Sequence, residues 1–541
     1  MAELLTAAQM RALEQAAIDS GAVTGLELME RAGRGVVGAV LAAWPEIEDA
    51  DLEAAGGPAP RTPRDISGKR MKAIVLCGPG NNGGDGFVVA RLLAVRGWDV
   101  DVYLFGDAGA LPPDARVNYE RWRGLGAVLP LEESRFGGQP DGVDGARLVV
   151  DALFGTGLGR PFVSHPNLST AVRVCREHAA REGAFPKVVA VDVPSGLCAD
   201  SGRWLGQEEA RDTGNPANLT VSFHTAKTGH YLSGGPQASG RLVVVDIGLD
   251  AGGTGVARLS NCRAADLRKG GEDHKYTHGH ALILSGGPGR TGAARLAARA
   301  ALRVGAGLVT LGVPPGAQQE VATQISALML RRVADAEALA SVLEDGRINA
   351  FCLGPGLGTE RARMLVPVAL SARRRCVLDA DALSAFGDVP DALFAMLHKD
   401  CVLTPHGGEF ARLFPDLAQR LKDPALRGPA FSKLDATRAA AERAGCVVLF
   451  KGTDTVIAGP AGESCLNSAQ YDRSAPWLAT AGSGDVLAGL VAGLLARGLP
   501  PLRAAETAAW LHVACARSFG PGLIAEDLAE ELPAVFRAIG V

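Results

Sequence analysis

Short apolar runs recur along this chain, each closed by a glycine-rich or polar stretch and followed by a longer amphipathic segment. Runs at 72–77, 100–105, 148–152, 188–192 and 242–246 are apolar almost throughout rather than alternating. That pattern predicts strands buried on both faces, hence a parallel sheet covered by helices. Ahead of them, residues 6–41 read as two amphipathic helices, with Leu5, Met10, Leu13 and Ala17 near helical spacing and Thr6 as N-cap. A further helix is expected over 87–95, directly after a glycine cluster. Residues 249–271 are glycine-rich, charged and aperiodic, and beyond them the same grammar restarts. Strands are predicted at 281–284, 351–353, 376–379, 401–404 and 446–450, with an alanine-rich helix over 291–304. The reading is two α/β domains, 1–248 and 272–541, joined by a linker at 249–271. Residues 45–70 mix acidic residues with Pro and Gly and read as a flexible surface insertion.

Composition narrows the function. A length of 541 residues suits two or more domains, each able to bury a sizeable core. Lys+Arg 55 against Asp+Glu 59 gives a net charge of −4, which argues against electrostatically driven nucleic-acid binding. No apolar run is long enough to span a membrane, and the start lacks the basic-then-apolar order of a secretory signal, so the cytoplasm is expected. The 10 Cys contain no CxxC pair and read as buried reduced thiols. The 69 Gly are neither periodic nor confined to a linker; they recur just after the apolar runs, where strand-to-helix turns carry ligand sites.

Three strand ends in the first half carry candidate chemistry. Gly78-Pro79-Gly80-Asn81-Asn82-Gly83-Gly84-Asp85-Gly86 lies between a strand and a helix, but its Asn pair and Asp break the dinucleotide fingerprint. Val150-Asp151 leads into Gly155-Thr156-Gly157-Leu158-Gly159-Arg160, and Val191-Asp192 into Val193-Pro194-Ser195. In a parallel sheet these ends share one crevice, where Asn82, Asp151, Asp192 and Ser195 can meet. Amide, carboxylate and hydroxyl oxygens suit a hard cation rather than zinc. For each Asp alone, a helix N-cap is the competing role.

Together these motifs resemble the NAD(P)H-hydrate epimerase domain over most of 1–247, including the segment Phe223-His224-Thr225-Ala226-Lys227-Thr228-Gly229. The resemblance implies a Rossmann-like three-layer fold that interconverts the R and S forms of hydrated NADH and NADPH. It implies potassium held by Asn82, Asp151 and Ser195. Substrate contacts are implied at Asn81, Asn82, Gly83, Gly84, Asp85 and over Gly155, Thr156, Gly157, Leu158, Gly159, Arg160 and Pro161. Asp192 is the first candidate for proton transfer and Lys227 the second. A carboxylate beside a cationic ring intermediate can stabilise charge and shuttle a proton.

In the second half, Thr480-Ala481-Gly482-Ser483-Gly484-Asp485 opens an apolar helix running to about Leu495. The free N–H groups of such a start form an anion hole, and Asp485 at its mouth is placed to take a proton from a hydroxyl. Lys451, after a strand and before Gly452-Thr453-Asp454-Thr455, suits a polyphosphate. His406-Gly407-Gly408-Glu409-Phe410-Ala411 and Gly354-Pro355-Gly356-Leu357-Gly358 are further turns at strand ends. The histidines at 274, 278 and 280 read as a solvated linker end.

This set resembles the ribokinase-like superfamily, and within it the ADP/ATP-dependent NAD(P)H-hydrate dehydratase branch, over nearly all of 272–541. The resemblance implies hydrate contacts at Gly356, at His406 to Ala411 and at Asp485, with Asp485 catalytic. It implies ADP, or ATP, as co-substrate against Lys451 to Thr455 and Thr480 to Gly484, with magnesium accompanying the phosphates. The partners expected are hydrated NADH and NADPH, the nucleotide, and further copies of the chain; neither nucleic acid nor membrane is expected. A ribokinase-like small-molecule kinase carrying a non-catalytic nucleotide-binding module is the alternative.

Overall fold

The apolar runs become one wholly parallel sheet and one mostly parallel, mixed sheet in a computed structural model. It describes residues 3–47, 70–131, 145–161, 186–206, 217–250 and 256–541. Contacts divide the chain into a first unit of Ala2–Val256 with Pro424–Ser432, and a second of Ala257–Asp423 with Lys433–Val541.

The first unit begins with helices α1 (Ala7–Asp19) and α2 (Gly25–Ala43). Thr6 and Thr24 cap them, each closing a capping box with Gln9 or Glu27 three residues on. Then follow β1 (Lys72–Cys77), α3 (Asn81–Val95), β2 (Asp99–Leu104), α4 (Pro113–Arg123), β3 (Val128–Pro130), β4 (Ala146–Ala152), β5 (Lys187–Val191), β6 (Leu219–Phe223) and β7 (Arg241–Val245). The sheet order is β3-β2-β1-β4-β5-β6-β7, every pair parallel. Ala73, Val75 and Cys77 enter one core cluster with α2 and α3 while Ile74 and Leu76 enter another, which is why β1 reads as an unbroken apolar run. The order reverses at β1, so the carboxyl ends of β1 and β4 open a crevice between them.

One expectation changes here. The helix after β1 begins at Asn81, not Phe87, so the glycine cluster forms its first turns. Gly83 shows why a glycine is needed: a Cβ there would stand 2.0 Å from the Gly78 carbonyl oxygen. Of the insertion expected at 45–70, Pro45–Ile47 is a short 3-10 turn and residues 48–69 lie outside those described.

In the second unit, part of the expected linker is regular structure: β8 (Ala257–Leu259) pairs in the sheet and Ala264–Leu267 is a short helix. The strands continue as β9 (His280–Leu284), β10 (Leu308–Val313), β11 (Met329–Arg332), β12 (Ile348–Leu353), β13 (Arg375–Leu378), β14 (Cys401–Leu403), β15 (Val447–Phe450), β16 (Asp454–Ala458) and β17 (Ser464–Ser468). Their order is β8-β17-β16-β15-β14-β13-β12-β9-β10-β11, parallel from β15 to β11 and antiparallel through the β15-β16-β17 meander. Helices α5 (Gly292–Arg303) and α6 (Gly407–Leu413) follow β9 and β14, and α7 (Ser483–Ala496), α8 (Pro501–Phe519) and α9 (Ala525–Ala538) close the chain. From Val486 on, α7 is buried on all sides, as a helix without a polar stripe must be. It approaches α5 so closely that a Cβ on Gly489 would stand 2.1 Å from the Ala297 carbonyl oxygen.

Candidate functional site

The ends of β4 and β5 are tied together by two of the residues read from sequence. Asp151 Oδ2 accepts the Ser195 backbone N–H at 3.0 Å and Oδ1 accepts the Ser195 hydroxyl at 2.6 Å. Ser195 Oγ in turn accepts the Phe154 N–H at 2.9 Å. Asn82, second residue of α3, reaches the same loop: a Cβ on Gly155 would lie 2.8 Å from Asn82 Oδ1 and 3.4 Å from Asp192 Oδ2. Only glycine leaves room between those oxygens. Among the described residues the buried Asn82 amide nitrogen has no hydrogen-bond partner. Gly157 and Gly159 face open space, and Arg160 is exposed.

Asp192 follows β5 with φ 64° and is 7% exposed. Its Oδ1 accepts Lys227 Nζ at 2.8 Å and the Ser222 hydroxyl at 3.0 Å. Burial raises its pKa, but the charge and hydrogen bond of Lys227, with His230 and Ser222, outweigh that and hold it below the usual carboxylate range. Lys227 is fully buried, with Nζ also within 2.9 Å of Ser222 Oγ, 3.1 Å of Phe223 O and 3.3 Å of Thr225 O.

Sequence reasoning missed Glu14. It lies on α1, whose Arg11 donates to the Thr156 carbonyl at 3.0 Å, so the helix borders the candidate substrate loop. Burial first, then the charge of Asp192, raises the Glu14 pKa. Asp85 is pushed well above its ordinary value by burial, Asp192 and Glu14. Glu14, Asp85 and Asp192 thus lie within one another's electrostatic reach, with Lys227 as the buried counter-charge to Asp192. No periodicity signals Glu14, because its partners are remote in sequence.

In the second unit, the ends of β13 and β15 meet at an ion pair. Lys451 Nζ stands 2.6 Å from Asp379 Oδ1 and 3.9 Å from Glu409 Oε2. Burial works against the ammonium, but Asp379 and Glu409 more than offset it and the Lys451 pKa is raised. A Cβ on Gly484 would lie 3.5 Å from Lys451 Nζ, so the lysine faces the start of α7. Gly482 caps that helix in the left-handed conformation, φ 87°. Asp485 in its first turn is raised to about 6 by burial, then by Asp379, Asp381 and Glu409 against Lys451. A carboxylate of that acidity is ionised near neutral pH yet a stronger base than an ordinary Asp.

A cavity of about 360 Å³ opens beside this helix start. Lys451, Gly452, Thr453, Thr455, Ser483 and Gly484 line it as read from sequence; Asp454, Thr480, Ala481 and Gly482 do not. Asp454 is instead paired with Lys433 at 2.7 Å. The cavity also takes Asn467 and Gln470 from the end of the meander and His512 from α8. His512 accompanies Ser483, its Nε2 lying 2.9 Å from the Ser483 carbonyl.

The His406 turn divides in its roles. His406 Nδ1 accepts the Gly408 and Glu409 N–H groups at 2.9 and 3.4 Å, while Glu409 returns to the His406 N–H at 2.9 Å, a capping box at the start of α6. Phe410 is fully buried, its ring stacked 4.1 Å from that of Phe450, which leaves only its backbone for a ligand. Gly407 and Gly408 are exposed, and Ala411 is half-buried. Gly356, φ 63°, packs under Arg290, and Asp381 accepts the Gly358 N–H at 2.8 Å, fixing that turn.

Each of the two α/β units thus presents a carboxylate of shifted acidity in the field of a lysine, a candidate small-molecule site in each. Residues 281–533 match the family model for NAD(P)H-hydrate dehydratase, and residues 25–229 match that for the YjeF-related protein N-terminus. The bifunctional NAD(P)H-hydrate repair enzyme Nnr of Moorella thermoacetica is 36% identical over 558 aligned positions, covering 99% of this chain and 96% of that protein. The NAD(P)H-hydrate epimerase of Roseobacter litoralis is 44% identical, covering 46% of this chain and all of that protein. The crystal structure of the ADP/ATP-dependent NAD(P)H-hydrate dehydratase from Bacillus subtilis, co-crystallized with ATP/Mg2+, is 27% identical with a TM-score of 0.41, covering 50% of this chain and 94% of that one. The chain belongs to the bifunctional NAD(P)H-hydrate repair enzyme family.

Proposed function

We infer that this chain repairs hydrated NADH and NADPH in two steps, the first unit interconverting the R and S epimers and the second dehydrating the S epimer with a nucleotide as phosphoryl donor. The observation that supports the reading best is the likeness to a bifunctional repair enzyme over 99% of the chain, with a tuned carboxylate in each half.

In the first unit, Asp192 exchanges the proton that accompanies breaking and remaking the bond at the hydroxyl-bearing ring carbon. Its ionised form stabilises the cationic ring formed when that bond breaks. The Asn81–Asp85 turn and the loop from Gly155 to Pro161 border the substrate. The oxygen donors of Asn82, Asp151 and Ser195 fit potassium, which would add a fixed positive charge to the crevice.

In the second unit, Asp485 takes the proton of the substrate hydroxyl as its oxygen attacks the terminal phosphoryl group of ADP or ATP. The N–H groups at the start of α7 and the Lys451 ammonium stabilise the charge that develops. Phosphate is then a better leaving group than hydroxide; the C–O bond breaks, the neighbouring ring carbon loses a proton, and NAD(P)H is restored. Among the described residues no three His, Cys, Asp or Glu side chains are placed to share a metal ion. Magnesium would therefore be held chiefly by the nucleotide's own phosphate oxygens.

Among the described residues no helix is long and apolar enough to cross a membrane. Cytoplasmic location and self-association complete the reading, the latter open to light scattering on purified protein. The deciding experiment gives the full chain separate R and S epimers of NADPH hydrate, with and without ADP. Recovery of the reduced-nicotinamide absorbance from both epimers, only with nucleotide, is expected. Recovery from the S epimer alone would remove the epimerase half, and phosphorylated hydrate accumulating without NADPH would favour a kinase.

A further inference from the structure

Asp192 is a non-glycine residue in left-handed backbone, φ 64°, a conformation that persists only where neighbours enforce it. His230 ties that backbone to the Lys227 turn. Its Nδ1 accepts the Lys227 backbone N–H at 3.0 Å, and its Nε2 lies 2.9 Å from the Asp192 carbonyl oxygen. An amide N–H only donates, so Nδ1 bears no proton and Nε2–H donates to Asp192, which fixes the tautomer. The ring is fully buried; burial and the Lys227 charge bring its pKa down to about 4, so it stays neutral in this role.

Ser222, in the buried strand β6, completes the arrangement. Its hydroxyl lies 3.0 Å from Asp192 Oδ1 and 2.9 Å from Lys227 Nζ, bridging the pair. The ammonium has three protons and four oxygen neighbours, Asp192 Oδ1, Ser222 Oγ, Phe223 O and Thr225 O, so no proton remains for a substrate. Oδ1 is thus fixed between an ammonium and a hydroxyl. Oδ2 is the oxygen on the Gly155 side, 3.4 Å from where a Cβ would stand.

We propose that His230 and Ser222 are positioning residues for epimerisation, locking the Asp192 backbone and its Oδ1 so that only Oδ2 meets the substrate. Lys227 belongs with them as a holder of Asp192 rather than as a second proton donor. The inference rests on the reading of Asp192 as the proton-transfer group.

The test follows epimerisation of the R hydrate by the full-length His230→Leu, His230→Gln and Ser222→Ala chains, each alone and with Asp192→Asn. Thermal melts and S-hydrate dehydration serve as controls for folded protein. His230→Leu is expected to lower kcat about tenfold with KM within about twofold, because orientation is lost while binding is kept. His230→Gln, which keeps a donor and an acceptor, is expected to recover kcat to within about threefold of the parent. Ser222→Ala is expected to fall between them. Added to Asp192→Asn, none should lower activity further, since the group they orient is gone. Parent-like kcat in folded His230→Leu and Ser222→Ala would overturn the inference while leaving the role of Asp192 intact. So would losses that multiply with that of Asp192→Asn. Full activity in Asp192→Asn itself would overturn the reading of Asp192, and the inference with it.

Discussion

Asp192 and Asp485 are the same residue type, one buried after a strand and the other half-buried at a helix start, each in the field of a lysine, yet their acidities move in opposite directions. The difference lies in what else the lysine holds. Among the described residues Lys227 forms its ion pair with Asp192, backed by a hydroxyl and two carbonyls, and its charge and hydrogen bond, with His230 and Ser222, outweigh burial. Asp485 is raised first by burial; Lys451 is bonded to Asp379 at 2.6 Å and leans toward Glu409, so it only partly cancels the further upward push of Asp379, Asp381 and Glu409. One crevice makes a carboxylate that is ionised at rest, suited to stabilising positive charge and to receiving a proton only transiently. The other makes a base poised near neutrality, suited to taking a hydroxyl proton.

Separating the two activities by substitution is the largest expected effect. Asp485→Asn should lower dehydration of the S hydrate about a thousandfold, within the usual range for removing a general base, while epimerisation is unchanged. Asp192→Asn should lower epimerisation about a hundredfold and leave dehydration of the S hydrate at the parent rate. Separate assays of R-to-S conversion and of absorbance recovery from pure S hydrate check both. If either substitution abolished both activities, the independence of the two carboxylates would be wrong.

The contrast was only half legible in the sequence. Asp192 and Asp485 could be picked out because an apolar run or a glycine-rich helix start frames each. The groups that tune them could not. Ser222 lies in a buried strand whose Thr and Ser break the apolar signal, and that strand went unread. Asp379 was recognised as a strand end but not as the partner of Lys451, which lies 72 residues away. Strands with unbroken apolar runs emerged within a few residues of their predicted bounds. The β16–β17 hairpin and β10, interrupted by Gly or polar residues, did not. The glycines misled in a physical way. Those at 83, 84 and 86 pack α3 against protein atoms, whereas those at 157, 159 and 407 face open space. Sequence shows that a glycine is present, not what its missing Cβ makes room for.

Acidity offers a finer comparison. Dehydration should fall as pH drops through about 6, where Asp485 takes up a proton. Lys451→Met should move that inflection upward by about one pH unit, because Lys451 is the group that lowers the Asp485 pKa against Asp379, Asp381 and Glu409. Epimerisation keeps Asp192 ionised over the same range. Burial raises the pKa values of Glu14 and Asp85, so Glu14→Gln and Asp85→Asn test whether either group contributes to the epimerisation profile. An unshifted dehydration profile in Lys451→Met would break the account of Asp485.

The smallest effect, on stability, has opposite signs in the two units. The Asp485 pKa is higher in the folded chain than in the unfolded one. Its contribution is therefore fully present below the unfolded value and lost as pH rises through about 6. At neutral pH the ionised group opposes folding, so Asp485→Asn should raise the melting temperature of the second unit by a few degrees. The folded pKa of Asp192 is lowered, so its contribution is present above the unfolded value and lost as pH falls through the folded one. Asp192→Asn removes that contribution and leaves the Lys227 ammonium, fully buried, without its counter-charge. The first unit should then melt earlier. Calorimetry of both variants at neutral pH and near pH 5 checks the signs: the gain from Asp485→Asn should shrink as the pH falls. A gain that stayed constant would mean that the substitution acts through packing rather than charge.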